Sequence, residues 1–184
     1  MPILCANEIR DAGGSGEVLA SDARQPAPEQ LSVLAEAPTH LYYFATPAIF
    51  GRQSKVFDNE RFDQFLEIYV RGFWRLIHAL RARQPALSVL YPSSVAVADR
   101  PRGMTEYSMA KAAGEILCAS MNEALAPLRV LVPRLPRMAT DQTATFMQVD
   151  TSPALETMLP LIREVQSWQR VAGQVPSTLP DGLE

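Results

Sequence analysis

Ser94, Tyr107 and Lys111 are the residues of this sequence whose types and spacing favour chemistry. Ser94 follows an apolar run, ALSVLY over residues 86–91, that is typical of a buried strand. Tyr107 comes thirteen residues after Ser94, and Lys111 comes four residues later in the run YSMAK. Because residues four apart share one face of a helix, we expect the phenol and the ammonium to lie side by side.

This arrangement would suit proton transfer. A phenol with its ordinary pKa of about 10 is a poor acid–base catalyst at neutral pH. A neighbouring ammonium favours the phenolate, so we predict that Lys111 lowers the pKa of Tyr107. The Ser94 hydroxyl would hold a substrate oxygen beside the phenol. A tyrosine–lysine pair alone is weak support, since an exposed helix pair has the same spacing, but a serine after an apolar strand favours the functional interpretation.

Composition restricts the function further. A chain of 184 residues is long enough to bury a core, and its formal net charge of −3 argues against a nucleic-acid surface. The two cysteines, Cys5 and Cys118, and the two histidines, His40 and His78, lack metal-ligand spacing, so we expect free thiols and no metal. No apolar run could span a membrane and no signal peptide is visible. We therefore predict a cytoplasmic protein that contacts neither membrane nor nucleic acid.

Strands and helices alternate along the chain. The predicted strands are 17–21, 40–45, 86–91 and 129–132; the predicted helices are 5–12, 29–37, 62–80, 107–125 and 153–168, with Pro160 expected to kink or split the last one. Uniformly apolar strands are typical of a parallel sheet covered on both sides. We predict an α/β fold, an incomplete Rossmann-like parallel sheet with helices on both faces, forming one domain over residues 1–175. Residues 176–184 would be an irregular tail ending in Leu183-Glu184, which is typical of a cloning scar.

Three segments resemble the short-chain dehydrogenase/reductase family. Ser94, Tyr107 and Lys111 match the active-site pattern of that family, and YSMAKAAGE is similar to its catalytic helix. The run LRVLVPRLPRMATDQT, residues 128–143, resembles the sixth strand and the threonine-containing loop that closes over the nicotinamide. HLYYFATP, residues 40–47, resembles the fourth strand and its turn. The resemblance covers residues 5–145.

The resemblance implies a Rossmann-type fold, NAD or NADP as cofactor, and interconversion of a small carbonyl compound and an alcohol. Tyr107 would donate or accept the proton, Ser94 would orient the substrate oxygen, and Lys111 would also bind the ribose. A homodimer through the two long helices is implied as well. The implied cofactor contacts are Asp22 at the adenine, Ala45 in the turn after the fourth strand, Lys111, and Thr140 at the carboxamide.

The sequence also departs from the family, mainly where the cofactor would bind. It contains no TGxxxGxG loop, and its one glycine cluster, Gly13-Gly14-Ser15-Gly16, precedes a predicted strand instead of following one. The elements align as though the chain starts inside the third helix, unless residues 2–6 (PILCA) supply a strand. Tyr69 stands where the family has its catalytic asparagine, and Phe44-Ala45-Thr46-Pro47 replaces Asn-Asn-Ala-Gly.

These departures leave three functions open. The first is an NAD(P)-dependent reductase or dehydrogenase of the short-chain family. The second is a non-catalytic relative, a binding or dimerisation module that kept the catalytic helix for packing. The third is one half of a split or truncated enzyme, with the nucleotide-binding half elsewhere. The sequence does not choose between NAD and NADP.

Overall fold

The computed structural model describes residues 2–25, 31, 34, 36–49, 57–138 and 153–172. The strands are β1 (His40–Tyr42), β2 (Ser88–Leu90), β3 (Ser93–Ser94), β4 (Arg129–Leu131) and β5 (Arg134–Leu135). The helices are α1 (Pro2–Asp11), α2 (Asn59–Leu66), a π-helical segment (Glu67–Gly72), α3 (Phe73–Arg81), α4 (Ala96–Asp99), α5 (Thr105–Ala124) and α6 (Ala154–Ala172). No helix of the described residues is long and apolar enough to cross a membrane.

The sheet is parallel, as the apolar strands predicted. Its order is β1-β2-β4, with Val89 of β2 opposite Leu41 on one side and Val130 on the other. Just beyond their carboxyl ends, β3 and β5 form a second parallel pair in which Ser94 faces Leu135. Strands at 40–45, 86–91 and 129–132 are confirmed, although each is shorter than the apolar run that predicted it.

Helices cover both faces of the central strand. Successive residues of a strand point to opposite faces. Val89 belongs to a buried cluster with Ile77 of α3 and Met121 of α5. Its neighbour Leu90 points the other way and is also fully buried; α6 contacts β2 and contributes the buried Val165. The Rossmann-like α/β fold predicted from the sequence is therefore confirmed.

The outer edge of β4 is closed by a side chain. The backbone N–H of Arg129 donates to Leu87 of the neighbouring segment, so the N–H and carbonyl of Val130 point away from β2. The amide of Asn122 on α5 takes both of them: its Oδ1 accepts from the Val130 N–H at 2.7 Å, and its Nδ2 donates to the Val130 carbonyl at 2.9 Å. The Asn122 side chain thus satisfies the two backbone groups with which a further strand would pair.

The predicted long helix over 62–80 is present as α2, the π-helical segment and α3, which follow one another without a break. Two buried tyrosines bond to the carbonyls of the π-helical segment. The hydroxyl of Tyr43 donates to the Ile68 carbonyl at 2.7 Å, and the hydroxyl of Tyr91 donates to the Tyr69 carbonyl at 2.9 Å. Because a buried hydroxyl without an acceptor is costly, these bonds help fix the π-helical turn in place.

Two predictions for the start of the chain are wrong. Residues 17–21 form no strand, and residues 2–6 belong to α1 instead of supplying one. The helix ends in a glycine cap, as predicted: Gly13 has a φ of +84°, and the Gly14 N–H donates to the Ile9 carbonyl. The segment that follows leaves Val18 and Leu19 exposed, so it lacks the buried face that makes an apolar run a strand.

Three further helices predicted from the sequence have different outcomes. Pro160 lies inside α6, which is one helix from Ala154 to Ala172, so the proline does not split it, and the alternative expectation of a kink stays a prediction. The predicted helix over 29–37 falls largely on residues outside the described ranges. The second long helix, predicted over 107–125, is confirmed as α5.

Gly114 on α5 gives the first test of this packing. A Cβ added there would lie 2.1 Å from the Tyr91 hydroxyl oxygen, which would break its bond to Tyr69. We predict that Gly114→Ala lowers the free energy of unfolding by about 1–3 kcal/mol. Alanine is the better helix former by about 1 kcal/mol, so a loss of stability isolates the clash.

Urea denaturation followed by circular dichroism measures this difference. The control is Glu123→Ala, an exposed position in the last turn of the same helix, which should change stability by less than about 0.5 kcal/mol. A Gly114→Ala variant as stable as the parent chain would contradict the contact.

Candidate active site

The fold brings Ser94, Tyr107 and Lys111 together. Ser94 ends β3, beyond the carboxyl end of the central strand, where open α/β sheets bind ligands. Tyr107 and Lys111 lie in the first two turns of α5, and both are buried. The Ser94 hydroxyl lies close enough to the Tyr107 phenol to act on its pKa, and the Lys111 Nζ lies 6.0 Å from the centre of the Tyr107 ring. The spacing that suggested this cluster therefore corresponds to a contact, while the roles assigned to the three residues stay predictions.

The start of α5 is anchored to the start of α2. Glu106 is buried, and its Oε1 accepts from the backbone N–H of Asp58 at 2.7 Å. The Asp58 carboxylate in turn accepts from the Arg61 N–H at 3.1 Å and caps α2. These bonds fix how the turn that carries Tyr107 lies against the helix that carries Phe65 and Tyr69.

The two serines of β3 have different partners. The Ser94 hydroxyl accepts from the Ala96 N–H at 3.2 Å, which turns the chain into α4. The Ser93 hydroxyl donates to Glu115 Oε1 at 2.5 Å, and Glu115 also receives two hydrogen bonds from Arg134, at 2.8 and 2.6 Å. Arg134 holds the pKa of Glu115 below its ordinary value. Ser93 therefore connects β3 to α5, and Ser94 is the serine that lies beside the Tyr107 phenol.

Lys111 is enclosed by aromatic rings. Its Nζ donates to the Pro92 carbonyl at 2.7 Å and lies 3.9 Å from the centre of the Tyr69 ring and 5.2 Å from that of Tyr91. Burial lowers the pKa of the ammonium from its ordinary value to about 7, although the nearby Cys118 and Glu115 favour the charged form. Cation–π contacts offset only part of the lost hydration.

The structure corrects the predicted effect of Lys111 on Tyr107. The pKa of Tyr107 is raised, because the ring is buried, and only its interaction with Ser94 acts to lower it. The ammonium is bonded to Pro92 and lies closest to the Tyr69 ring. The spacing placed the two residues on one helix face correctly, but it could not specify which neighbour the flexible lysine would choose.

The predicted cofactor contacts have different surroundings. Asp22 is exposed, and both of its carboxylate oxygens accept hydrogen bonds from the Arg24 guanidinium, at 2.8 to 3.1 Å. Ala45 is half-buried and packs against the main core. Thr140 lies outside the described residues. Ala45 is adjacent to Thr46, whose hydroxyl contacts the hydroxyl of Tyr69, the aromatic residue nearest to the Lys111 amine.

Tyr69 is the residue of this site that the sequence marked only as a departure from a pattern. It is 1% exposed, stacks on Phe65 and meets the Tyr107 ring edge-on. Its hydroxyl lies 2.5 Å from Thr46 Oγ1. The sequence marked Thr46 only as part of the run that replaces Asn-Asn-Ala-Gly, and a single threonine in a loop has no periodicity that would indicate Tyr69 as its partner.

A groove lies on another part of α5. It has a volume of about 400 Å³, and Ser94, Tyr107 and Lys111 do not line it. Its lining is Glu115, Ala119, Asn122, Val130, Val132 and Arg134. The charged pair in it is already satisfied, and within the described ranges no group of His, Cys, Asp and Glu could hold a metal ion.

No family model matches the sequence, and no curated protein does. Solved structures do match. An alternative dihydrofolate reductase from Brucella suis, in complex with NADP, is 18% identical with a TM-score of 0.70; the match covers 92% of this chain and 73% of that one. A protein described as a short-chain dehydrogenase from Pseudomonas syringae is 16% identical with a TM-score of 0.72, over 89% and 73% of the two chains.

An alcohol dehydrogenase from the archaeon Thermococcus sibiricus, complexed with 5-hydroxy-NADP, is 15% identical with a TM-score of 0.68. That match covers 96% of this chain and 77% of the other. At such identities the likeness concerns the fold. The chain shares the Rossmann-like fold of short-chain dehydrogenases and reductases, and it spans about three quarters of the length of these structures.

The buried amine of Lys111 predicts a pH dependence of stability. Its folded-state pKa of about 7 lies below its ordinary value of 10.5, so the unfolded chain binds more protons between these pH values. The contribution of Lys111 to stability therefore rises with pH across that window and is lost as pH falls towards 7. Relative to Lys111→Met, the parent chain should gain on the order of 2 kcal/mol between pH 7 and 9.

Urea titrations at half-unit pH steps measure the two curves. Lys55→Met, which alters the other lysine of the chain, is the matched control and should retain the slope of the parent. Parallel curves for the parent and Lys111→Met would contradict the depressed pKa.

Proposed function

We propose that this chain is a cytoplasmic, NAD(P)-dependent oxidoreductase of the short-chain type that interconverts a small carbonyl compound and an alcohol. The observation that carries the proposal is the half-buried Ser94 beside the buried Tyr107 at the carboxyl end of parallel strands, with Lys111 one turn further along α5. The fold that it shares with an NADP-complexed reductase and with an alcohol dehydrogenase complexed with 5-hydroxy-NADP supports nicotinamide-dependent redox chemistry.

In this mechanism Ser94 and Tyr107 act on the substrate oxygen. Ser94 donates a hydrogen bond to that oxygen and holds it beside the phenol. Burial raises the pKa of Tyr107, so the phenol carries its proton at neutral pH but is a weaker acid than a free phenol. It would give that proton to the strongly basic alkoxide oxygen that develops as hydride reaches the carbonyl carbon. A bound nicotinamide would supply the hydride to the carbonyl carbon, so that hydride and proton together convert C=O to CH–OH. Oxidation would run the same transfers backwards.

The fit of a nicotinamide cofactor to these residues is uneven. Ser94 and Tyr107 suit the reacting end, since they are paired and lie at the ligand-binding edge. Lys111 suits the ribose hydroxyls by chemistry, but its amine faces the Tyr69 ring. Asp22 is engaged by Arg24, so an adenine contact there would compete with an ion pair.

The alternative is a non-catalytic relative that binds or dimerises. The enclosed Lys111 favours it, because a lysine that only packs among rings needs no access to ligand. Cofactor binding separates the two functions, since the module requires no dinucleotide.

The catalytic proposal predicts distinct losses for two variants. Tyr107→Phe should lower the rate at which small aldehydes and ketones are reduced by about 10²–10⁴-fold, the usual contribution of a general acid. The affinity for NADPH should stay nearly unchanged. Lys111→Met should weaken NADPH binding because it removes the ribose donor. Binding is measured by quenching of Trp74 and Trp168, with NADPH and NADH compared.

Two controls isolate these effects. Tyr42→Phe alters a half-buried tyrosine of β1, and Lys55→Met alters the second lysine; neither should change turnover or affinity. Absence of binding by the parent chain at millimolar NADPH and NADH would reject the free-standing enzyme in favour of the module.

We also propose a homodimer through the two long helices. Three large apolar side chains are exposed there: Trp74 on α3 at 41%, and Met109 and Ile116 on α5 at 45% and 69%. Met109 and Ile116 are seven residues apart and so lie on one face of α5. Exposed apolar groups clustered on a helix face are typical of a surface that a partner covers.

Charging this face should separate the subunits. We predict that Ile116→Glu converts a dimer to a monomer, because burying an unpaired carboxylate in an apolar contact is unfavourable. Light scattering during size-exclusion chromatography gives the mass. The matched control is Leu155→Glu, which charges an equally exposed apolar residue on α6 and should leave the dimer intact. A monomeric parent chain would reject this interface.

A further inference from the structure

The Lys111 ammonium has few polar partners. An ammonium can donate three hydrogen bonds, and within the described part of the chain Lys111 makes one, to the Pro92 carbonyl. Its other directions face aromatic rings, of which Tyr69 is the nearest at 3.9 Å. Only 8% of the residue is exposed. Access to this amine is therefore controlled by the rings that surround it.

Tyr69 is held at both ends. The hydroxyls of Thr46 and Tyr69 lie 2.5 Å apart and share a hydrogen bond in which either can be the donor. The Thr46 Oγ1 also lies 3.1 Å from the Pro47 carbonyl oxygen. At the other end, the backbone carbonyl of Tyr69 accepts from the Tyr91 hydroxyl. The ring cannot turn away from Lys111 without breaking the bond to Thr46 or moving the π-helical segment.

The position of Thr46 places the Thr46–Tyr69 contact near the edge of the sheet where ligands bind. Thr46 follows β1, and Ser94 ends the strand pair just beyond β2, the neighbour of β1. Because the carboxyl ends of parallel strands meet at one edge of a sheet, the two residues lie at the edge where ligands bind. The Tyr69 side chain reaches from Thr46 at this edge to the amine of Lys111.

We propose that Tyr69 is a positioning residue that covers the amine of Lys111 and keeps it from ligands, and that the Thr46–Tyr69 hydrogen bond holds this cover closed. Lys111 becomes available to a ligand when the ring moves aside. That the ligand is the ribose of a dinucleotide rests on the proposed function; the cover itself does not.

Acetylation of Lys111 by acetic anhydride tests the cover directly. The chain has two lysines, so Lys55 serves as an internal reference, and peptide mass spectrometry gives the ratio of the two rates. Tyr69→Phe keeps the ring and removes its hydroxyl, and Thr46→Val keeps the shape of the threonine and removes its oxygen. Each should raise the relative rate at Lys111 about fivefold, the factor expected for one neutral hydrogen bond. The double variant should gain no more than either single one.

Cys118 reports any general loosening of the core. It is a fully buried free thiol in the main core cluster, to which Tyr91 also belongs, and iodoacetamide reaches it only when the core opens. A faster reaction at Lys111 with an unchanged rate at Cys118 is the expected result. Rates that rise together, or an unchanged rate at Lys111, would overturn the proposal. Tyr42→Phe and Thr157→Val are matched controls and should leave both rates unchanged.

NADPH titration of the same variants separates this inference from the proposed function. If both hold, Tyr69→Phe and Thr46→Val bind NADPH more tightly than the parent chain by the same factor by which acetylation accelerates. If acetylation accelerates and no chain binds a dinucleotide, the cover stands and the proposed function fails. If the parent binds NADPH and the variants change neither affinity nor acetylation, the function stands and the cover fails.

Discussion

Buried tyrosine hydroxyls must find acceptors in a core that excludes water, and the site follows from how this chain satisfies that requirement. Tyr43 and Tyr91 each donate to a carbonyl of the π-helical segment, which fixes that turn of the long helix. The turn then directs Tyr69 towards Lys111 and Thr46. Gly114 leaves the space that the Tyr91 hydroxyl needs. The surroundings of the amine therefore depend on hydrogen bonds accepted by the backbone carbonyls of Ile68 and Tyr69.

Lysine suits this enclosed position better than arginine would. The chain uses fifteen arginines and two lysines, so an ammonium at residue 111 stands out. A guanidinium keeps its charge at any ordinary pH, whereas a buried amine can release its proton and so avoid the cost of an unsolvated charge. The depressed pKa of Lys111 is in keeping with that difference. An opened site would return the amine to water and to its charged form, which is the form that a sugar hydroxyl or a phosphate favours.

Much of this arrangement follows from local sequence patterns, and the rest does not. The apolar runs located the three main strands, and the four-residue step located Tyr107 and Lys111 on one face of α5. The contact with Tyr69 joins two helices by a cation–π interaction, which leaves no periodic pattern. Residues 17–21 read as a strand because apolar composition is visible in a sequence, while the presence of a neighbouring strand to pair with is not. Patterns within one element were thus predictable, and choices between distant partners were not.

The amide of Asn122 closes one edge of the sheet, that of β4. A parallel strand of three residues offers the outside a single residue's N–H and carbonyl, and in β4 both are already taken. An exposed strand edge is a template for pairing with another chain, so this side chain also protects β4 from unwanted association. Within the described part of the chain, β1 is the edge strand of this sheet whose outward backbone groups have no such side-chain partner. The loop that carries Thr46 begins at the end of β1. A strand that paired with β1 would therefore lie next to Thr46, the residue that holds Tyr69 over the Lys111 amine.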